Sequence, residues 1–142
     1  MENIVWQSDS WKMYIKFDNN HIDKSTPTPC AFFIIGVELK CQSWIGGELL
    51  YRAEDSFSML NNNLLSELGS LVNSYEAKEL RIQDDSADTD GYVLFDCKLD
   101  CIEVSGQLGA SFCNDFVAKF EFAADSSLLF NLYEVLKENT IY

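Results

Sequence analysis

The sequence predicts an α+β fold: a single domain, 1–142, in which two helices pack on a mostly antiparallel sheet of about seven to nine strands. Two observations support this class. Apolar and polar residues alternate over most of the chain, which is typical of half-buried strands. Twice such a run ends in Asp-Ser, at Asp55-Ser56 and Asp125-Ser126, before apolar residues recur at helical spacing. Because Asp and Ser favour helix N-caps, each junction predicts the start of a helix.

Four strands and a helix are predicted in the first half. The predicted strands are 3–8, 10–18, 30–43 and 48–53. Pro27 and Pro29 restrict a polar connection, 19–29, and exclude a helix there. Gly46-Gly47 predicts a turn or bulge, since glycine adopts positive φ without strain. Residues about 56–74 form the predicted first helix, on a stripe of apolar residues: Phe57, Leu60, Leu64, Leu68, Leu71 and Tyr75.

The second half repeats this order. The predicted strands are 77–83, 92–99, 101–108 and 115–123. Asp and Gly dominate residues 84–91, so this segment is predicted to be a hairpin loop. The second predicted helix, about 126–139, follows from a further apolar stripe: Leu128, Leu129, Leu132, Val135 and Leu136.

The charge of the chain limits its partners. Twenty-three acidic residues against ten basic ones give a net charge of −13. Nucleic acid and anionic membranes are therefore not expected partners, because both need a basic protein surface. A basic protein partner fits this charge, and so does a simple role in solubility. No apolar run approaches the roughly 20 residues that span a bilayer. The first residues lack a signal peptide's basic and apolar regions, so a cytoplasmic location is expected.

The cysteines predict neither disulfides nor a metal site. Their number is five, which is odd, and most fall in predicted strands: Cys30, Cys41, Cys97, Cys101 and Cys113. Reduced, mostly buried thiols are the better interpretation. Cys97 and Cys101 are four residues apart, but His21 is the sole histidine that could complete a zinc site. No cofactor or metal is expected.

An acidic loop is the clearest candidate site. Asp88-Thr89-Asp90-Gly91 resembles part of a calcium loop, but Ser86 holds the first ligand position and Cys97 the place of the bidentate glutamate. Two interpretations stay open: a solvated hairpin tip, or a contact surface for a cationic partner. On the second interpretation the partner-binding residues are Asp84, Asp85, Asp88 and Asp90.

The sequence contains no pattern that predicts catalysis. Gly-x-Ser-x-Gly and phosphate-binding glycine loops are absent, and His21 lies in a polar loop. Cys30 is the cysteine nearest to His21 in sequence, but a structural role is favoured for it. Three tryptophans either form an aromatic binding patch or, as the favoured interpretation, are buried at sheet faces: Trp6, Trp11 and Trp44. We therefore expect no catalytic residues and no enzymatic activity.

Six segments carry a resemblance to a known family: the strand 33–39, the aromatic and glycine turn 44–47, the strand leading into the helix 55–71, and 91–95, 102–109 and 120–125. In this order, over roughly residues 30–138, the chain resembles the WapI-type family of bacterial immunity proteins. The resemblance implies a non-catalytic antitoxin that binds and neutralises a cognate polymorphic toxin domain. An acidic inhibitor suits a basic nuclease toxin, because carboxylates can occupy the surface that holds phosphates.

Two other function classes remain open. The chain could be an acidic adaptor or a subunit of another assembly, or an unrecognised hydrolase. Residues 82–142 contain twelve acidic and three basic residues, a net charge of −9. Under the immunity hypothesis, acidic loops of this second half are therefore expected to contribute to toxin binding.

Overall fold

Two four-stranded meanders, each followed by a helix, form the architecture. The computed structural model describes residues 2–17, 32–42, 44–58, 63–83, 91–109 and 118–139. The first meander and its helix are β1 (Asn3–Gln7), β2 (Trp11–Phe17), β3 (Phe32–Gln42), β4 (Glu48–Ser58) and α1 (Asn63–Asn73). The second set is β5 (Glu79–Gln83), β6 (Tyr92–Cys97), β7 (Ile102–Leu108), β8 (Ala118–Ala124) and α2 (Ser127–Asn139).

All pairings between neighbouring strands are antiparallel, which confirms the predicted α+β class. The eight strands of the described residues divide into two sheets, with the orders β1-β2-β3-β4 and β5-β6-β7-β8. The predicted period of two is clearest in β7, where Ile102 and Val104 are buried while Glu103 and Ser105 are partly exposed. This alternation gives each sheet an apolar face toward the core.

Buried side chains from both sheets and both helices form one hydrophobic cluster. Trp6 and Trp11, from the first sheet, stack on Phe122 of β8 with ring centroids 5.4 and 5.0 Å apart. Asn131 of α2 donates a hydrogen bond from Nδ2 to the Val5 carbonyl oxygen at 2.9 Å, which holds α2 against β1. Neither helix is long and apolar enough to cross a membrane.

The first helix begins later than the sequence predicts. Strand β4 continues to Ser58, and within it Asp55 lies opposite Ile35 and Phe57 opposite Phe33. The predicted helix cap at Asp55 is therefore wrong: this residue is fully buried inside a strand. Pairing along the eleven-residue strand β3 supplies backbone hydrogen bonds over this stretch, which outweigh the local preference of Asp-Ser for a cap.

The second Asp-Ser junction behaves as predicted. Strand β8 ends at Ala124, and the Asp125 carboxylate accepts a hydrogen bond from the Ser127 amide at 3.0 Å. This is the bond that an N-cap provides to the first turn of a helix. The predicted helix near 126–139 is confirmed as α2.

Candidate functional site

The sequence-predicted site residues lie outside the described part of the chain. This holds for the partner-binding candidates Asp84, Asp85, Asp88 and Asp90, and also for His21 and Cys30. The described residue next to the acidic loop is Gly91, which is buried against Asp55 of β4. Of the tryptophans, Trp6 and Trp11 are partly buried as predicted, whereas Trp44 is 96% exposed and that prediction is wrong.

A cleft of about 610 Å³ lies where three elements of the fold converge. It is bordered by the C-terminal end of α1, the turn between β6 and β7, and the N-terminal end of α2; we call it the α1–α2 cleft. Leu71 and Leu129 are almost completely buried and form its floor. Three large apolar side chains on its walls remain exposed to solvent: Tyr75, Leu99 and Phe130.

Backbone and side-chain hydrogen bonds hold the turn beside this cleft. The Lys98 amide donates to the Cys101 carbonyl oxygen at 2.9 Å, which leaves Leu99 and Asp100 at the two central positions. The Tyr75 hydroxyl donates to the Lys98 carbonyl oxygen and so joins the segment after α1 to the turn. As a result Leu99 projects from a fixed turn while 92% exposed. Because the backbone of the turn is already ordered, binding of a partner here costs little backbone entropy.

Two carboxylates give the cleft a negative rim. Asp100 lies on the turn and Asp125 caps α2. The nearest turn cation, Lys98, is paired with Glu103 at 2.9 Å, so its charge is compensated. Partial burial, then the negative charges of Asp100 and Glu103, raise the pKa of the Cys101 thiol in the cleft wall. Burial likewise raises the pKa of Tyr75. The negative charges of Asp100 and Asp125 favour cations over anions in the cleft.

An apolar floor with carboxylates at its rim can bind a side chain that is apolar along its length and positive at its end. Lys and Arg have this character, since their methylene stems pack on apolar surface while their charged ends stay in polar surroundings. Within the described ranges, no group of three or more His, Cys, Asp and Glu side chains could hold a metal ion. The cleft thus fits contact with a basic protein surface better than with an anionic ligand.

Sequence reasoning missed this cleft, although two signals point to it. The predicted strand 92–99 is too long: β6 ends at Cys97, and Leu99 lies in a turn between Lys98 and Asp100, where a polar residue is usual. Phe130 falls outside the apolar stripe of α2 and is 52% exposed. A large apolar residue at each of these positions serves no purpose in the core. What the sequence cannot predict is that the two residues converge, because they are thirty-one positions apart and belong to different elements.

Comparison of the chain with known protein families, with characterised proteins and with solved structures finds no match in any of the three. The resemblance to the WapI-type family therefore stays a prediction.

Proposed function

We propose that the protein is a non-catalytic immunity protein that binds and neutralises a cognate, basic bacterial toxin domain through the α1–α2 cleft. The proposal is carried by one observation: the same cleft has exposed apolar side chains on its walls and carboxylates at its rim. The net charge of −13 and the resemblance of the strand and helix order to immunity proteins support it further. Asp100 and Asp125 both belong to the acidic second half that sequence reasoning assigns to toxin binding.

In this function the apolar and charged groups have different tasks. Leu99 and Phe130 supply apolar area that is lost from water on binding, which determines how slowly the complex dissociates. The acidic surface accelerates encounter with a basic partner and selects against acidic ones. If the toxin is a nuclease, the carboxylates occupy the surface on which it would hold phosphates, and so block substrate access.

The test is binding and neutralisation of the protein encoded directly upstream of this gene, the position in which the toxin gene is expected if the chain is an immunity protein. We expect a stable complex and loss of toxin activity at equimolar ratio. Leu99→Ser should raise the Kd by about tenfold or more, because apolar anchors at interface centres cost over about 1 kcal/mol when truncated. Its fold should be unaffected, since Leu99 is exposed. No binding by the wild-type protein would refute the immunity function and favour the adaptor class.

A charge-matched comparison locates the contact surface. The double variant Asp100→Asn/Asp125→Asn removes two carboxylates from the cleft and should slow association and flatten its dependence on salt. Glu79→Gln/Glu121→Gln removes the same charge from exposed strand positions and serves as the control. Replacing Asp84, Asp85, Asp88 and Asp90 with Asn tests the acidic loop. If the loop variant alone weakens binding, the contact lies there and not in the cleft.

A further inference from the structure

The strand β4 lies at the edge of the first sheet, and half of it is uncovered. No described strand pairs with its outer side, because the sheet order ends at β4. Residues 48–52 are all exposed, whereas the following Ala53 is partly buried and Asp55 is fully buried. Three successive apolar side chains lie in the exposed half: Leu49, Leu50 and Tyr51, which are 47%, 57% and 58% exposed.

This segment presents apolar groups on both faces of the sheet as well as an unpaired backbone edge. Leu49 and Tyr51 share the face of buried Phe57, and Leu50 lies on the opposite face. A long apolar edge with free amide and carbonyl groups is a template for another strand. Folded proteins usually protect such edges with prolines, charged side chains, β-bulges or a covering element. In the described part of the chain, residues 48–52 contain no proline, pair with β3 without a bulge and are exposed to solvent. Their only charged side chains are Glu48 and Arg52, at the two ends of the segment.

We propose that a second copy of this chain covers the edge, by antiparallel pairing of β4 with β4 about a two-fold axis at Leu50. The register follows from the sequence of the exposed segment, Glu48-Leu49-Leu50-Tyr51-Arg52. Leu50 then lies opposite Leu50 of the second copy, and Leu49 opposite its Tyr51. Glu48 lies opposite its Arg52, and symmetry repeats this pair on the other side of the axis.

The distribution of charge favours a second copy of the chain as the partner of this edge. The chain as a whole carries −13, but residues 48–52 carry one negative and one positive charge and are neutral. Their positions at opposite ends make the segment complementary to itself, whereas a basic partner would find no excess of negative charge here. The Arg52 side chain contacts Glu2 and Glu38 and remains 40% exposed. Its guanidinium has five donors, so it can also bind Glu48 of the second copy.

The structure also limits the length of the pairing. Gly46 and Gly47 have φ values of +92° and +97°, so the extended strand begins after them. At the other end the strand enters the buried region that contains Asp55. The exposed half between these limits is centred on Leu50. Pairing here would join two first sheets into one eight-stranded sheet, and it uses different elements from those of the α1–α2 cleft.

The test uses the full-length protein and measures its mass in solution by sedimentation velocity over a wide concentration range. We expect a reversible dimer. Glu48→Lys should raise its dissociation constant by at least about tenfold, because two attractive cross-strand pairs become repulsive. Arg52→Glu should do the same. An equimolar mixture of the two variants should restore the dimer, since each mixed pair again joins opposite charges.

Two controls keep the result specific. Glu79→Lys makes the same charge change on β5, the edge strand of the other sheet, and should leave the dimer intact. Because Arg52→Glu also removes contacts to Glu2 and Glu38, its fold is checked by thermal unfolding. If it does not fold, Leu50→Lys replaces it, with Leu99→Lys as its control.

Several outcomes would overturn the proposal. A wild-type protein that stays monomeric at every concentration would do so, as would a dimer that Glu48→Lys does not weaken. Equal weakening by Glu79→Lys would place the dimer contact elsewhere. A monomer in which residues 48–52 are covered only when the toxin domain binds would assign this edge to the toxin.

Discussion

The phenol ring of Tyr14 occupies the space that a side chain at Gly36 would need. A Cβ atom built at Gly36 would lie 2.0 Å from Cζ of Tyr14, and the two residues are opposite each other in β2 and β3. The ring reaches across β3 toward Glu54 of β4, the residue paired with Gly36 on its other side. Burial and the negative charges of Glu54 and Glu38 raise the pKa of the Tyr14 hydroxyl well above its ordinary value.

Cations surround the same ring on the outer face of the first sheet. The Arg52 guanidinium lies 4.7 Å from the ring centroid, and the ammonium groups of Lys12 and Lys16 lie 5.7 and 5.9 Å from it. Lys16 in turn pairs with Glu54, and Lys12 with Glu38. This arrangement explains how Tyr14 is fully buried on the face of β2 that also carries Lys12 and Lys16.

Substituting Gly36 with Ala should therefore destabilise the protein by about 1–3 kcal/mol or more, because the ring has to leave its position. Chemical denaturation measures the effect. Gly69→Ala is the matched control: its Cβ would lie 3.3 Å from Cε2 of Tyr133, a partly exposed ring that can shift. Ala is also more favourable than Gly inside a helix by about 1 kcal/mol, so we expect little net change in the free energy of unfolding. Equal losses for both variants would contradict the role of Tyr14.

A second close contact joins the two sheets and predicts a coupling energy. A Cβ at Gly91 would lie 2.1 Å from Oδ2 of Asp55, which has no hydrogen-bond partner among the described residues. Gly91→Ala alone should cost more than about 1 kcal/mol, while in an Asp55→Ala background it should cost much less. Denaturation of the four proteins of this cycle gives the coupling, expected above about 0.5 kcal/mol. If the two substitutions have additive effects on the free energy of unfolding, the contact with Asp55 is not the reason why residue 91 is a glycine.

The two Asp-Ser junctions show how far local sequence predicts this fold. At Asp125 the strand ends and the side chain caps α2, as its residue type favours. At Asp55 the same dipeptide is paired with β3, and the carboxylate accepts a hydrogen bond from the Ser56 amide at 2.9 Å inside the strand. The two junctions differ because Asp55 pairs with β3, a strand of eleven residues. A local sequence pattern does not reveal this pairing.

The same limit applies to the candidate site. Alternation and helical spacing predict the classes and order of the elements, because they depend on neighbouring residues. The α1–α2 cleft depends on Tyr75, Leu99 and Phe130 meeting from three elements, which is a property of the tertiary structure. The sequence indicates such positions only where a large apolar residue occurs in a turn or outside the apolar stripe of a helix.

The cap of α2 gives a further prediction. Asp125→Ala should lower the free energy of unfolding by about 0.5–2 kcal/mol, because the Ser127 amide loses its side-chain acceptor. Asp125→Asn should cost little, since the amide oxygen of Asn serves equally well as a cap. Equilibrium denaturation of both variants distinguishes the loss of the capping hydrogen bond from the loss of the negative charge. If Asn costs as much as Ala, the charge of the carboxylate would be the stabilising property.

The pH dependence of thiol labelling tests the electrostatics of the cleft. Only the thiolate reacts with iodoacetamide, and partial burial together with Asp100 and Glu103 raises the pKa of Cys101. Its labelling at pH 8 should therefore be slow, and the labelling rate should still rise with pH beyond the ordinary thiol pKa of about 8.5. Asp100→Asn should shift this curve toward lower pH, because it removes a negative charge beside the thiol. Peptide mass spectrometry distinguishes Cys101 from Cys97, which is almost completely buried and should react only after unfolding. A labelling curve that Asp100→Asn leaves unchanged would show that the Asp100 carboxylate does not act on the thiol in the cleft wall.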